Sequence, residues 1–494
     1  MIKTTFKIHR SLAWLGGLTL IIFAVSGITH PVITWSGPQA VVFYPPQGVI
    51  DSSVLEKIAP VLNTANLTSA TSIKLVPKED VGVLLQITTD ANHPRRYFNL
   101  STGQELPNHD EKYAIWLARY YSGLPATNVL SATFQSSFSA DYPKVNRILP
   151  VYKVAFNTED NLTLFIHTEL LALGDLTNDW KRLLQKIFKI GHTWNFLNQS
   201  PNLKVLIISA MILSLLTITI SGAILLRRLR ARSMPKYRKA HRYLGIVVLI
   251  PLIMLSSSGL FHLLHSHLIG RKSNIKDTLS SSHTPNLLLN AQTFSSKWDL
   301  PATKINGANL VEGPDKELFL RIGISPLSNN QNLDYKSRNQ RFNGVPTETS
   351  PAMYLSVKSG AISTISDKDV VLHHANNYFN VPNNKISQTQ IITRFNAEYD
   401  FRNKRLPVWR VDTLLPEKPS LFIDPVDGAL VDELTPSYSL ERWSFSIFHK
   451  WNFLTPFIGR QARDIILVII LILAIATTFL GFRMLLIRFS PRKK

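Results

Sequence analysis

The chain has 494 residues and no cysteine, which excludes disulfides, iron–sulfur clusters, thiolate zinc sites and cysteine nucleophiles. Much of its formal net charge of +21 is concentrated in three basic segments without acidic residues, at 3–10, 227–242 and 483–494. Each segment adjoins a long apolar run, which is the positive-inside pattern of a membrane protein. The charge is therefore not interpreted as a nucleic-acid-binding surface, and we expect no nucleic-acid partner.

Four apolar runs predict transmembrane helices, because about 20 residues at 1.5 Å each cross a hydrocarbon core of about 30 Å. They cover residues 12–30, 203–226, 243–264 and 464–487. The first run is too long for the core of a signal peptide and lacks a small-residue cleavage site, so we expect it to remain as an anchor. Both chain ends and the loop between the second and third runs are then cytoplasmic.

Two near-identical motifs indicate an internal duplication of the sequence. HTWNFL stands at 192–197 and HKWNFL at 449–454. Upstream, a Leu-Pro-Val occurs at 149–151 and again at 406–408, and in both copies 42 residues separate the proline from the motif histidine. The match therefore extends well beyond the six residues of the motif.

The predicted membrane spans repeat as well. His-Arg precedes the first span at 9–10 and opens the third at 241–242, and His30 and His262 each follow 21 residues after the first histidine, behind a Ser-Gly. We therefore predict a tandem duplication of helix, external domain, His-x-Trp-Asn-Phe-Leu and helix. Such a duplication relates equivalent side chains by a pseudo-twofold axis along the membrane normal.

The predicted fold class is membrane α+β, with four transmembrane helices and two periplasmic α+β domains. Alternating runs at 151–156 and 162–167 predict strands in the first domain, and the amphipathic stretch 179–196 predicts a helix on the membrane surface. The predicted boundaries are 1–35 (N-terminus and first span), 36–178 (first external domain), 179–202 (interfacial segment), 203–226 (second span), 227–242 (basic loop), 243–267 (third span), 268–436 (second external domain), 437–463 (interfacial segment), 464–487 (fourth span) and 488–494 (basic tail).

Six of the 14 histidines form three repeat-related pairs: His9 with His241, His30 with His262, and His192 with His449. Ionisable side chains at the ends of membrane spans are costly and usually have a function. Two symmetry-related helices can present two imidazoles to one haem iron, and no carboxylate stands at metal-ligand spacing within the spans. The pattern therefore favours haem. The 21 residues from His9 to His30 cover about 31 Å of helix, which would place sites at both membrane faces.

Several alternatives remain open for these residues. The histidines could lie at the lipid headgroups, and Trp194 and Trp451 are interpreted as interfacial anchors or, alternatively, as haem-packing residues together with Gly27 and Gly259. HLLHSHL at 262–268 could bind copper or zinc through His262, His265 and His267. His373 and His374 are predicted to be a surface loop pair.

The combination of these motifs over nearly the whole chain resembles the PepSY-associated transmembrane helix family. The resemblance implies four helices in the bacterial inner membrane and two periplasmic PepSY-like domains. The family includes iron-regulated di-haem reductases that release iron from ferric siderophores, so the resemblance makes the six paired histidines candidate axial ligands of haem b, with two haems expected. The Asn/Ser-rich stretch 325–344 departs from the pattern of the first half and is predicted to be an inserted loop.

The expected function is electron transfer across the membrane to a ferric siderophore outside. His9 and His241 would hold an inner haem, and His30 with His262 would hold an outer one, unless His192 and His449 replace them or pair with them. The chain has no dinucleotide- or phosphate-binding motif, so quinol or a separate cytosolic reductase must supply the electrons. The alternative is a non-enzymatic permease component, or a sensor with ligand-binding external domains.

Overall fold

The computed structural model describes residues 2–42, 44–46, 48–78, 82–228, 234–269, 284–300, 304–324 and 352–489. The predicted insertion at 325–344 lies outside these residues, as do part of the basic loop and the end of the basic tail. The chain forms two compact units. We call them the helical unit (Met1–Gly37, Asp179–Lys272 and Ser437–Lys494) and the sheet unit (Pro38–Asn178 and Ser273–Pro436).

The α-helices among the described residues are α1 (Ile2–Ser11), α2 (Ala13–Ser36), α3 (Ile58–Ala65), α4 (His109–Ser122), α5 (Asp179–Gly191), α6 (Pro201–Arg228), α7 (Lys236–Leu268), α8 (Asp367–Phe379), α9 (Pro436–Ser444) and α10 (Thr455–Phe489). In this part of the chain four helices, α2, α6, α7 and α10, are long and apolar enough to cross a membrane. The prediction of four helices long and apolar enough to span a membrane is confirmed. The helices extend beyond the predicted apolar runs, since helical hydrogen bonding continues into the more polar ends, and α10 contains a break at Gly459, where φ is +75°.

In the helical unit, α2 and α7 each pack against both α6 and α10. Leu20, Ala24, Leu215, Val248 and Ala474 form the common apolar core, to which all four long helices contribute. Gly16 and Gly17 permit the close approach of α2, because a Cβ at either position would stand 2.7 Å from Ile218 or Phe482. These two glycines therefore contact neighbouring helices.

The sheet unit contains β1 (Ile50–Asp51), β2 (Ser69–Ala70), β3 (Ser72–Lys78), β4 (Gly82–Thr88), β5 (Arg96–Asn99), β6 (Val129–Gln135), β7 (Val151–Phe156), β8 (Thr163–His167), β9 (Ala172–Thr177), β10 (Leu287–Leu288), β11 (Lys304–Ile305), β12 (Gly307–Glu312), β13 (Leu318–Gly323), β14 (Ala352–Ser356), β15 (Ile362–Ser363), β16 (Ile386–Ile392), β17 (Val408–Thr413), β18 (Ser420–Ile423) and β19 (Leu430–Leu434). The strands predicted at 151–156 and 162–167 are confirmed as β7 and β8. Helices and sheets together make the chain α+β.

One seven-stranded sheet combines strands from both halves of the chain, in the order β15-β14-β13-β12-β3-β4-β5. The halves meet where Asn309 of β12 pairs antiparallel with Lys74 of β3. Two short ladders, β1 with β11 and β10 with β2, also join the halves. The boundaries predicted for two separate external domains stay a prediction, and some strands of the two segments combine in the seven-stranded sheet.

Local backbone geometry recurs at a fixed separation of 257 residues. Positive φ angles occur at residues 103 and 360, 123 and 380, 147 and 404, 161 and 418, 171 and 428, and 194 and 451. The sheets β6-β7-β8-β9 and β16-β17-β18-β19 have the same order, and their register irregularities fall at matching positions, 129/131 with 386/388 and 165/166 with 422/423. The two halves therefore have similar backbone geometry even at positions where their side chains differ.

Two local predictions need correction. The helix predicted over 179–196 ends at Gly191 and is followed by a short 3-10 turn, Asn195–Leu197. His373 and His374 lie in α8 and not in a surface loop, and His374 is fully buried. The buried positions Val370, Val371 and His374 follow helical spacing, a signal that the adjacent histidines obscured in the sequence.

Candidate functional site

His192 follows the last turn of α5 and lies against α2. Its Nδ1 is 3.3 Å from the hydroxyl oxygen of Ser26, its ring stacks on Phe188 at 4.7 Å, and its Cε1 is 3.6 Å from the position that a Cβ on Gly27 would take. Ser26 donates its own hydroxyl proton to the carbonyl of Ile22. The serine oxygen is therefore free to accept from Nδ1–H, which leaves the lone pair on Nε2.

His449 repeats this arrangement in the second half of the chain. Its Nδ1 is 3.2 Å from the hydroxyl oxygen of Ser258, its ring stacks on Phe445 at 4.5 Å, and its Cε1 is 3.6 Å from a Cβ position on Gly259. Ser258 donates to the carbonyl of Leu255. The same tautomer follows, with the lone pair on Nε2.

The structure brings these two imidazoles together. The ring centres of His192 and His449 are 6.2 Å apart, and the ring planes are inclined by 70°. A metal–imidazole bond is about 2.0–2.1 Å long, and the centre of a five-membered ring lies about 1.1 Å from each ring atom. Two imidazoles that bind one metal ion from opposite sides therefore have ring centres about 6.2–6.4 Å apart. The observed separation matches this requirement closely.

His9 and His241 form a second pair with the same chemistry. His9 Nδ1–H donates to the carbonyl of Ile218 in α6 at 2.9 Å, and His241 Nδ1–H donates to the carbonyl of Thr477 in α10 at 2.9 Å. A carbonyl oxygen can only accept, so both rings carry their lone pair on Nε2. The two rings lie close enough for their charges to interact.

A glycine stands beside each ring of this pair as well. The ring of His9 lies against Gly222, with Cε1 3.3 Å from the Cβ position, and the ring of His241 lies against Gly481 at 3.4 Å. All four imidazoles thus rest edge-on against a glycine of another helix. This feature fixes the ring position and directs Nε2 away from the supporting helix.

His30 and His262 are placed differently. Both are exposed on the helical unit, and no ring contact between them occurs among the described residues. His30 packs against Phe188 at 6.1 Å, and His262 packs against Phe445 at 4.6 Å. His262 also donates from Nδ1 to the carboxylate of Glu441. His192 and His449 are therefore neighbours in the structure, whereas His30 packs against Phe188 and His262 packs against Phe445.

The remaining predicted site residues have other partners. His265 bonds to the hydroxyl of Ser437 at 2.8 Å, and His267 is exposed. Within the described part of the chain no group of three or more His, Asp or Glu side chains is arranged to hold a metal ion. This gives no support to a copper or zinc site at His262, His265 and His267. A haem held by two histidines needs no such group.

Gly27 and Gly259 contact the imidazoles directly, where they were predicted to pack against haem or an interface. Trp194 and Trp451 both have positive φ, 49° and 53°, and both lead into a 3-10 turn. Trp194 Nε1 donates to the carbonyl of Gly191. The interfacial role predicted for the two tryptophans stays a prediction.

Sequence reasoning missed the residues that support the rings. Phe188 and Phe445 each precede a motif histidine by four residues, so a repeated Phe-x-x-x-His was visible in the sequence. Gly222 and Gly481 carried a weaker signal, as glycines within the apolar runs of the second and fourth spans. Glu441 had no counterpart in the first half and therefore no repeat signal.

No protein-family model matches the chain, and no curated protein matches its sequence. The resemblance to the PepSY-associated transmembrane helix family therefore depends on the motifs alone.

The ring separation of His192 and His449 fits a haem group held between two imidazoles, and His9 and His241 offer a second set of imidazoles with the same hydrogen bonding. Each pair supplies two Nε2 lone pairs, and among the described residues none of the four Nε2 atoms has a hydrogen-bond partner. The supporting Nδ1–H bonds to backbone or hydroxyl oxygens are the kind that fix the ring orientation of metal-ligating histidines. Bis-imidazole ligation is a common mode for electron-transfer haem.

Proposed function

We propose that the chain is a b-type di-haem oxidoreductase of the bacterial inner membrane, which passes electrons to a ferric siderophore and reduces Fe(III) to Fe(II). One observation carries the proposal: the rings of His192 and His449 are separated by 6.2 Å, and all four paired histidines place Nδ1 against a backbone or hydroxyl oxygen. In this proposal His192 and His449 hold one haem and His9 and His241 hold the other.

The spacing of the two pairs supports electron transfer along the bundle. Ile218, whose carbonyl binds His9, packs against Gly16 of α2, and His192 packs against Gly27 of the same helix. The 11 residues between these glycines correspond to about 17 Å along the helix axis. This distance is much shorter than the roughly 31 Å from His9 to His30, so the placement of His192 and His449 shortens the route between the sites.

Bound haem b would supply one-electron redox chemistry at each pair. The chain's own residues contribute positioning: Nδ1–H bonds to Ile218, Thr477, Ser26 and Ser258 fix the rings, and a glycine lies beside each ring. Each Fe(III) of the substrate takes one electron, and the resulting Fe(II) is held less firmly by the hard oxygen donors of a siderophore. The step needs no acid–base residue of the chain.

The proposed topology follows from the charges. The basic segments at 3–10, 227–242 and 483–494 face the cytoplasm, and both segments of the sheet unit lie in the periplasm. His9 and His241, next to two of the basic segments, then receive electrons at the cytoplasmic side from quinol or a cytosolic reductase. The recurring backbone geometry at 257-residue separation supports a tandem duplication as the origin of the paired sites.

The test is spectroscopic and uses the full chain purified in detergent. We expect two haems b per chain, a Soret band, and sharp α and β bands on reduction with dithionite, as low-spin bis-imidazole haem gives. Stopped-flow mixing of the reduced protein with a ferric hydroxamate should reoxidise it, with one Fe(II) captured by ferrozine for each electron lost.

The control is the same mixing with the gallium(III) hydroxamate, which has the same shape and charge but is not reduced. A colourless protein that takes up no haem on reconstitution would rule out the proposal and favour a non-redox permease component or sensor. Haem-bound protein that is not reoxidised by any ferric siderophore would retain the haem sites and reject the substrate.

A further inference from the structure

A pocket of about 340 Å³ lies beside β6 within the sheet unit, and we call it the β6 pocket. Phe134 of β6 and Tyr152 of β7 form its aromatic wall; the two residues pair in register, and their rings meet edge to face at 5.5 Å. Segments 94–96 and 105–111 supply most of the remaining lining. Ligand sites in proteins measure about 300–1,000 Å³, so the pocket is large enough for the side chain of a ligand.

The charged residues of the β6 pocket are two arginines and three acids, which leave one negative charge: Arg95, Arg96, Glu105, Asp110 and Glu111. Arg96 and Glu105 bind each other through two hydrogen bonds, of 2.7 and 2.6 Å. Asp110 is buried and accepts from the backbone N–H of Arg95 at 2.9 Å. Glu111 is exposed, and it has no hydrogen bond or ion pair among the described residues. The carboxylate of Glu111 is therefore accessible to a cationic ligand.

The second half of the chain does not repeat these charges. At a separation of 257 residues, the positions of Glu105 and Glu111 are occupied by Ile362 and Lys368. Lys368 stands in the first turn of α8, as Glu111 does in the first turn of α4. An acidic residue in a first turn stabilises the helix dipole, but α8 forms with a lysine at this position. The helix alone therefore does not account for Glu111.

The β6 pocket adjoins an unprotected sheet edge. β6 is the end strand of its sheet and pairs with β7 on one side. Its sequence, VLSATFQ, contains no charged residue and no proline, which are the residues that usually protect an edge. In the described part of the chain, no backbone hydrogen bond from another element reaches β6 outside this pairing. The edge can therefore accept an added strand.

The side chains of an added strand can reach the pocket. Ala132 and Phe134 are two residues apart and lie on the same face of β6, and both line the pocket. An added strand turns every second side chain to this face. Burial raises the pKa of Tyr152, and the carboxylates of Asp110 and Glu111 raise it further. Glu111 and the aromatic wall are therefore close enough to act on one cation.

We propose that β6 and the β6 pocket bind an extended peptide segment of a partner protein as an added strand, with an arginine or lysine side chain in the pocket. The inference does not depend on haem and goes beyond the proposed function. Because the chain as a whole has a formal charge of +21, its average charge repels a basic peptide. Attraction must come from local acids, and Glu111 supplies the unpaired one.

The experiment measures binding of a fluorescein-labelled peptide to the full-length chain in detergent by fluorescence anisotropy. The peptide alternates threonine and arginine, has blocked ends and matches the seven residues of β6 in length. We expect Glu111→Gln to weaken binding by about fivefold, since an exposed ion pair is lost, and Glu111→Asp to keep most of the affinity. Lys368→Gln, at the matching position of the second half, should bind the peptide as wild type does.

Modified peptides separate the side-chain contact from the strand pairing. Citrulline in place of arginine keeps the shape and removes the charge, so it should abolish the difference between wild type and Glu111→Gln. N-methylation of the threonines or of the arginines removes the N–H groups on one side of the added strand. One of these two peptides should lose about tenfold in affinity and the other should not, because only one side pairs with β6.

Three results overturn the inference: no binding of the arginine peptide to wild type, equal binding to wild type and Glu111→Gln, or equal effects of the two methylation patterns. The last result, together with weaker binding by Glu111→Gln, would identify a cation site without an added strand. Failure of the proposed function is distinguishable, since a chain that takes up no haem can still bind the peptide.

Discussion

His192 and His449 occupy matching positions in the two halves of the helical unit, and their immediate contacts match as well. Each has a serine at Nδ1, a glycine at the ring edge and a phenylalanine on the ring face. One helical turn further on, the halves diverge: His262 binds Glu441, whereas His30 has Arg460 and Asp464 within electrostatic reach. Residues present in both halves thus position the two rings, and residues present in only one half determine the charges near them.

The same contrast occurs in the sheet unit. Tyr97 donates to Asp110 at 2.8 Å, and Tyr354 donates to Asp367 at 2.5 Å in the matching position. In contrast, Arg405 is buried between two aspartates, but the position 257 residues earlier is Ile148. Features present in both halves therefore identify the paired sites. Features present in one half indicate functions that only that half has.

The largest expected effect comes from removing one member of a matched pair. His192→Ala and His449→Ala should each lose about half of the bound haem, because each removes one axial ligand of the same haem. His30→Ala should retain both haems, since His30 packs against Phe188 and belongs to neither proposed pair. Pyridine haemochrome assays of the purified variants measure this. Loss of haem in His30→Ala with retention in His192→Ala would reverse the assignment.

A second test removes an unmatched residue in the sheet unit. Arg405 Nη1 lies 2.7 Å from both Asp424 and Asp427, and burial together with Asp427 raises the pKa of Asp424. Arg405→Met should destabilise the sheet unit by about 3–5 kcal/mol, because it leaves two buried carboxylates without their cation. Urea unfolding of the full chain, followed by tryptophan fluorescence, gives the free energy of unfolding.

The control for this test is the exposed pair of Arg96 and Glu105, where Arg96→Met should cost no more than about 1 kcal/mol. Adding Asp424→Asn and Asp427→Asn to Arg405→Met should recover much of the loss. If the triple variant remained as unstable as Arg405→Met alone, unpaired charge would not be the cause.

A third test concerns His374, whose matching residue 257 positions earlier is Leu117. Burial, with a smaller contribution from the charge of His373, lowers the pKa of His374 from 6.5 to about 4. Between these values the unfolded chain binds more protons than the folded one, so stability falls as pH decreases from about 6.5 towards 4, by about 3 kcal/mol in total.

His374→Leu should make the free energy of unfolding less dependent on pH in this window. Part of the dependence will remain, because burial beside Arg95 also lowers the pKa of His167. Urea titrations at pH 7 and pH 4.5 provide the comparison. An unchanged difference between the two pH values in His374→Leu would show that His374 does not control acid sensitivity.

The smallest expected effect concerns the glycines at the ring edges. A Cβ on Gly27 or Gly259 would stand 3.6 Å from the imidazole, which is ordinary contact, so alanine should be tolerated at both positions. Valine carries two further methyl groups and should displace the ring and lower haem content in part. Gly245→Val is the control, since nothing lies within 4 Å of its Cβ position. Equal haem content in Gly27→Val and Gly245→Val would contradict the packing argument.

The sequence allowed the four long helices and the three histidine pairs to be predicted, because apolar length and repeated motifs are local signals. The sequence left open whether His30 and His262 or His192 and His449 face each other, since this depends on how α5 and the π-helical turn Phe445–His449 meet α2 and α7. The tautomers required the positions of Ser26, Ile218 and Thr477 on other helices. Glu441 and Arg460 gave no repeat signal, because each occurs in one half alone.

The seven-stranded sheet has a consequence for biosynthesis. Its central neighbours, β3 and β12, are separated by more than 200 residues and by two long apolar helices in the chain. The amino-terminal segment emerges from the ribosome first, but its β3 edge finds its partner only after the third long helix and the following strands have been made. Until then that edge is open to wrong pairing, a hazard typical of late-closing sheets. A quality-control chaperone for the nascent chain would have its greatest effect during this interval.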